Sequence, residues 1–283
     1  MGRSDWRPLR GIDQRRLSMA RLQAHHAAQW LARAARAYVP PQPDDGHTNL
    51  GWSNTFDGFA THLMQGGTCL SLKIADLTLG LHSDERTIQS FSLDGRTDAQ
   101  ARQWLGEQLG ARGLDARALD APSPYEMPAH AVTEGAAYGV VDLADALVEL
   151  AAWFANAEFL LVRVQRQMIG RNLAASDVRC WPHHFDLATL TSFPTRNADA
   201  TGYVGAGLSP GDEYYDEPYF YVSVYPKPGS AALPRLPELG HWHTHEFTAA
   251  VAPAHRIVAS NNQKAAADEF LKAAVDVAIK ILR

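Results

Sequence analysis

The sequence predicts an α+β fold, with antiparallel β-sheet or sheets flanked by about four principal helices. Three observations carry this prediction: long stretches with apolar residues at helical spacing, short alternating runs bounded by turn residues, and a shared order of helix, several strands, helix in both halves of the chain.

Residues 13 to 38 read as the first helix, Ala-rich and free of Gly and Pro until Pro40-Pro41 stops it, with Leu17, Leu22 and Trp30 on its buried stripe. His25-His26 in this helix reads as one packed and one solvated residue. A polar loop follows to Asn49. Phe59 to Met64, Thr68 to Ile74, Leu77 to His82 and Thr87 to Leu93 are short apolar stretches separated by turn residues, the pattern of an antiparallel meander. Thr97 or Asp98 caps a helix running to about Ala111. After a proline-bearing loop, the longest helical pattern spans about Val140 to Gln167 and ends at Gly170. Val178 to Phe193, Tyr203 to Leu208, Pro218 to Tyr225 and Trp242 to Val251 read as four strands. Asn261 or Asn262 caps a last helix with Phe270, Leu271, Ala274, Val275, Ala278 and Leu282 at core spacing.

The repeated order suggests two pseudo-repeated halves, residues 1–115 and 135–283, or one continuous domain, since residue-level similarity between the halves is faint. A chain of 283 residues permits either arrangement, because single cores stop growing near ~250–300 residues. Hydrophobic residues at 46% and charged residues at 20% describe a folded, water-soluble protein. No run of ~18 apolar residues predicts a membrane span, and the first forty residues hold no apolar signal core. Cys69 and Cys180 stand far apart without metal-ligand spacing, which argues against a disulfide framework and a zinc–cysteine site and makes the cytoplasm the expected address. Eight arginines against two aspartates in residues 1 to 37 contrast with a net charge of -5 for the whole chain. Without a basic stripe interleaved with aromatics, they read as a solvated helix face, and no nucleic-acid partner is expected.

The candidate chemistry lies in the second half. His241-Trp242-His243-Thr244-His245 places three imidazoles at alternate positions of a predicted strand, hence on one face. With neighbours about 7 Å apart at a strand rise of ~3.4 Å per residue, two of them can share a metal but three cannot. A three-histidine zinc site takes its third ligand from another strand. In Trp181-Pro182-His183-His184-Phe185-Asp186-Leu187, alternation puts His184 and Asp186 on one face, so the expected metal ligands are His243 and His245 with His184, Asp186 being the alternative third ligand. Glu213 or Asp186 would then accept a proton from a metal-bound water. Glu213-Tyr214-Tyr215-Asp216-Glu217-Pro218-Tyr219-Phe220-Tyr221 crowds carboxylates and tyrosines into nine positions, and Tyr215, Tyr219 and Tyr221, with His183, His241 and His47, are the expected pocket-lining residues. Half-buried aromatic strands show the same alternation, so the cluster also reads as a plain strand edge.

Two other patterns fail. The cupin arrangement needs a glutamate where Ala249 or Ala250 stands after His243-x-His245. Gly207-Leu208-Ser209-Pro210-Gly211 matches the serine-hydrolase elbow in letters, but the residue after that serine must donate its backbone N–H, and Pro210 has none. It reads instead as a tight turn.

The blocks Trp181 to Ala188, Gly205 to Asp212, Glu217 to Val222 and His241 to Thr244 resemble an uncharacterised family of bacterial proteins of unknown function. The likeness is clearest over residues 176–252 and weaker over 47–52. It implies a bacterial cytoplasmic protein and brings no activity.

Two functional readings follow. One is a small-molecule enzyme, a metal-assisted hydrolase using a divalent cation such as zinc in a His/Asp/Glu cleft of the C-terminal half. The other is a non-catalytic ligand-binding or assembly protein, in which the same tyrosines and histidines line a pocket or the interface of a homo-oligomer.

Overall fold

The computed structural model describes residues 6–84, 86–194, 201–228 and 233–282. The fold is α+β, with antiparallel sheets and, among the described residues, five α-helices, and divides into two compact units. The first comprises Ile12–Ala151 with Cys180–Phe185; the second comprises Ala152–Arg179 and Asp186–Arg283 with the segment ending at Gly11. Residues 116–134, between the two halves expected from sequence, belong to the first unit.

In the first unit, α1 (Gln14–Tyr38) starts where the Asp13 side chain accepts the backbone N–H of Arg16. Its alanines 20, 24, 27, 28, 34 and 35 are fully buried, which permits close approach of the chain around it. Both His25 and His26 are buried, whereas one was expected to be solvated. Strands β1 (Gly51–Ser53), β2 (Gly58–Ala60), β3 (Thr68–Lys73), β4 (Thr78–Ser83) and β5 (Arg86–Ser92) pair antiparallel in sequence order, the predicted meander with one extra short strand at its start. Gly58 is required there: a β-carbon would stand 2.0 Å from the Leu72 carbonyl oxygen across the β2–β3 pair. Helix α2 (Asp98–Gly110) carries a complete capping box, Thr97 receiving the Gln100 N–H and the Gln100 side chain receiving that of Thr97.

Helix α3 (Ala144–Gly170) gives its first turns to the first unit and the rest to the second. The predicted strand over 178–193 is two elements, β7 (Arg179–Trp181) and β8 (Asp186–Pro194), joined by the turn Pro182–Phe185. The backbone N–H groups of His184 and Phe185 both reach the Trp181 carbonyl, and Phe185 takes a positive φ of 59°. The predicted strand over 242–251 is likewise a hairpin, β11 (His241–His243) and β12 (Ala249–Pro253), turning through Glu246 at φ 57°. In both places a continuous apolar–aromatic run hid a turn, because the turn residues are not Gly, Asn or Asp.

The second sheet is ordered β11-β12-β10-β9-β8-β6, with β6 at Ala174–Ala175, β9 at Thr201–Ser209 and β10 at Tyr219–Tyr225. This order departs from the simple meander of the first sheet, so the two sheets do not repeat one topology. Asn262 caps α5 (Gln263–Leu282), and the short α4 (Ala254–Val258) precedes it.

Register assigns the faces of this sheet. Leu187, Leu208, Phe220 and Ala252 share one face with Ala206, Val222 and Ala250, all buried. Helix α5 packs on β9 and β10, and Trp153 of α3 reaches Phe220 with ring centroids 6.2 Å apart. The opposite face has another character. One cross-strand row runs His241, Val251, Tyr221, Gly207, Ala188, and the next runs His243, Ala249, Ser223, Gly205, Leu190.

Candidate functional site

On that second face, small residues make room for polar aromatic ones. A β-carbon on Gly207 would stand 2.5 Å from Cζ of Tyr221, so the tyrosine ring lies directly over the glycine. Gly205 does the same for the Ser223 hydroxyl, at 2.6 Å. Of the Gly-x-Ser-x-Gly letters, the first glycine thus seats a neighbouring side chain, and the serine helps to build a turn. The Ser209 hydroxyl accepts the N–H of Gly211 and bonds to Asp212 at 3.2 Å.

Asp212 organises the loop between β9 and β10. One carboxylate oxygen accepts the backbone N–H groups of Tyr214 and Tyr215 at 2.9 and 3.1 Å, an Asx turn. The other oxygen accepts the Tyr219 hydroxyl. Beside it the Tyr221 hydroxyl donates to Asp186, and the Tyr214 hydroxyl to Glu246. The rings themselves meet: Tyr215 to Tyr219 at 4.8 Å between centroids, Tyr219 to Tyr221 at 6.1 Å, and Tyr214 to Phe247 at 5.3 Å. Tyr219, Ala249 and Val251 form the buried floor of this cluster, with Tyr215, Tyr221 and Phe247 packed against it.

Burial, then the charge of Asp186, holds the Tyr221 phenol well above its ordinary range. Tyr219 is raised the same way by burial and Asp212, and Tyr215 by burial and then Asp212. Tyr214 is pushed up to about 12, chiefly by its hydrogen bond to Glu246. All four therefore stay protonated near neutral pH, Tyr214, Tyr219 and Tyr221 as donors to carboxylates and Tyr215 as a donor to His243.

The imidazoles meet this cluster at Tyr215. The His245 carbonyl oxygen can only accept, so Nε2 of His243, 2.8 Å away, carries a proton. In the neutral ring Nδ1 of His243 is then an acceptor, and the Tyr215 hydroxyl donates to it at 3.2 Å. With its single hydrogen committed, the Tyr215 oxygen accepts from Nε2 of His241 at 3.0 Å. The network thereby assigns both tautomers. Nδ1 of His241 is left as a buried lone pair with no hydrogen-bond partner among the described residues. Burial lowers the His241 pKa, and the charges of Arg256, His243 and His255 lower it further.

The expected residues fall into three groups. Asp186, Tyr215, Tyr219, Tyr221, His241 and His243 lie together on this face. Glu213 is exposed at its edge, where it helps to keep Tyr214 protonated. His245 leaves the ladder because the chain turns after His243; it offers the site its carbonyl, and its ring lies 6.3 Å from that of Tyr214. His183, His184 and His47 belong to the first unit. His184 is exposed in the turn, its ring 4.1 Å from that of His183, and is not in the strand with Asp186. His47 is buried and accepts the Gln42 N–H within its own loop.

The ligand set His184, His243 and His245 does not fit a three-ligand metal site. Both ring nitrogens of His243 are engaged within the protein, and no group of three or more His, Cys, Asp or Glu is placed to hold a metal ion among the described residues. Asp212 and Glu246 are not among the residues expected from sequence. The signal for Asp212 is its place just after a Pro-Gly turn and three residues before Tyr215, the spacing of an Asx turn.

Fold and site together define an α+β protein whose second sheet carries an aromatic, carboxylate and imidazole face. The chain belongs to a family of unknown function, DUF5996, whose model matches residues 16–282. No curated protein and no solved structure matches it. Among the described residues no helix is long and apolar enough to cross a membrane.

Proposed function

We propose that the tyrosine-rich face of the second sheet binds a small organic cation, an amine or a quaternary ammonium. The observation that carries this reading is the pair of carboxylates, Asp212 and Asp186, each accepting the hydroxyl of a tyrosine whose ring touches the next. Aromatic faces backed by negative charge attract cations, by about 0.5–2 kcal/mol per ring. Titration calorimetry with tetramethylammonium, benzylamine and benzoate tests it. Binding of the two cations, weakened about tenfold or more by Tyr215→Leu, is expected. Benzoate binding that Tyr215→Leu weakens, or no cation binding at millimolar concentration, defeats the reading.

A second reading, a small-molecule acid–base enzyme, is favoured by the relay through His243, Tyr215 and His241. In it Nδ1 of His243 takes the Tyr215 proton, and the tyrosinate, held by the N–H of His241, takes a proton from a bound molecule. Nitrogen NMR of the imidazoles checks it: His241 found with its proton on Nδ1 would end it. This reading stands on the relay and not on zinc or another divalent metal. We place the protein in the bacterial cytoplasm, in keeping with Cys69 and Cys180 forming no disulfide.

A further inference from the structure

The first unit holds a cleft of about 220 Å³ along one side of α1. His26, Gln29, Trp30, Arg33 and Arg36 line it at helical spacing, so the helix presents them as one stripe. Facing them are Asp98, at the start of α2, and Tyr125 and Met127, from the loop after Asp120.

The polar groups of this cleft other than the arginines, the Asp98 carboxylate among them, are already engaged within the protein. His26 Nε2 bonds the Pro128 carbonyl at 2.9 Å, and the Gln29 side chain donates to the Pro182 carbonyl while accepting the Tyr125 hydroxyl. Asp98 accepts both Trp30 Nε1 and the Tyr138 hydroxyl, at 3.0 and 2.7 Å. Ser123 and Thr133 donate to backbone carbonyls at 2.7 and 2.8 Å.

The two arginines stand apart. Each guanidinium offers five N–H donors. Arg36 uses one on the Pro122 carbonyl at 3.2 Å, and Arg33 lies over the Trp30 ring at 5.0 Å. Neither forms an ion pair within 4.0 Å among the described residues. The nearby Asp120 feels Arg33, yet it is taken up by a two-pronged pair with Arg102 at 2.6 and 2.8 Å. Partly buried cations with donors to spare, beside the Trp30 and Tyr125 rings, are complementary to a negative group on a planar body.

We propose that this cleft binds a small aromatic anion, its carboxylate or phosphate on Arg33 and Arg36 and its ring against Trp30 and Tyr125. The volume, below the ~300–1,000 Å³ of ordinary ligand pockets, limits the ligand to about one ring and one acidic group.

Calorimetry on the full chain with benzoate, phenyl phosphate, inorganic phosphate and neutral benzyl alcohol tests the proposal. Benzoate or phenyl phosphate should bind, weakening as salt rises, with at least a tenfold loss in both Arg33→Met and Arg36→Met. Arg33→Lys and Arg36→Lys, which keep the charge but not the two-pronged donor fork, should each weaken binding by less than the methionine variants and serve if a methionine variant fails to fold. Absence of binding, equal binding of benzyl alcohol or of inorganic phosphate, or affinity untouched in both arginine variants would each overturn it.

Discussion

The imidazole of His25 lies flat on the ring of Phe185, with centroids 4.9 Å apart and planes 7° from parallel, while its Nε2 bonds the Pro182 carbonyl at 2.8 Å. Phe185 also meets Phe59 edge-on at 5.9 Å. A histidine of α1 thus anchors the turn that sequence alone read as a strand.

That burial makes the fold acid-sensitive. Desolvation lowers the His25 pKa to about 4, opposed in part by the Pro182 bond. The unfolded chain, with an ordinary value near 6.5, takes up the proton first, so stability is complete above pH ~6.5, falls as pH drops to ~4 and is flat below. The loss approaches ~3 kcal/mol, because each tenfold weakening of proton affinity on folding is worth ~1.4 kcal/mol. Denaturant titrations of wild type and His25→Gln across this range should differ in slope; parallel curves would refute the assignment.

Glu158 supplies the opposite slope in the second unit. Burial raises its carboxyl to about 7, with Asp177 adding to the rise and Arg179 opposing it, and Oε2 has no hydrogen-bond partner among the described residues. The folded chain keeps this proton while the unfolded chain loses it, so stability is full below pH ~4.5 and declines as pH rises to ~7, by about 3 kcal/mol at most. Glu158→Gln should match wild type at pH 4 and exceed it at pH 8 in chemical denaturation. Equal stability at both pH values contradicts the buried-carboxyl account.

The fold was legible where periodicity and punctuation agree. Helix α1 runs from Gln14 to Tyr38 against an expected 13–38, and the Thr97 cap and the four predicted meander strands appear close to the expected positions. What failed was turn detection inside aromatic and histidine-rich runs. Pro182–Phe185 and Thr244–Thr248 hold no glycine, and their turns form because side-chain partners, the buried His25 on Phe185 and the surface Tyr214 on Glu246, favour the bend. Those two misread turns carried the expected metal site with them, since alternation past a turn no longer says which face a side chain takes. Tyr219, Tyr221, His241 and Asp186 were legible as neighbours because each lies in a strand. Asp212 was not, because an Asx turn acts through backbone N–H groups that a residue pattern does not display.

Gly207 tests how the candidate site is built. Alanine there places a β-carbon 2.5 Å from Cζ of Tyr221, and the ring must leave its seat over β9. We expect a loss of about 1–3 kcal/mol from overpacking. Moving the ring outward also frees the phenol from the burial and the Asp186 bond that raise its pKa, so one tyrosine should titrate at lower pH by ultraviolet difference spectroscopy. An alanine variant as stable as wild type, with unchanged titration, means the ring is not seated as described.

Asp212→Asn separates charge from shape. The amide oxygen can still accept the N–H groups of Tyr214 and Tyr215, so the loop keeps its Asx turn. The amide nitrogen faces the Tyr219 hydroxyl, which must turn its proton away from the former acceptor and take a hydrogen bond instead. Loss of the negative charge removes the second largest cause of the raised Tyr219 pKa, after burial, so this phenol should ionise at lower pH than in wild type. The stability cost should be about 1–3 kcal/mol, that of a rearranged partly buried hydrogen bond. A cation-binding face should weaken its hold on tetramethylammonium in the same variant, because the aromatic wall is retained and only the charge behind it is gone. Unaltered affinity together with a lowered Tyr219 titration would show that Asp212 serves the loop alone.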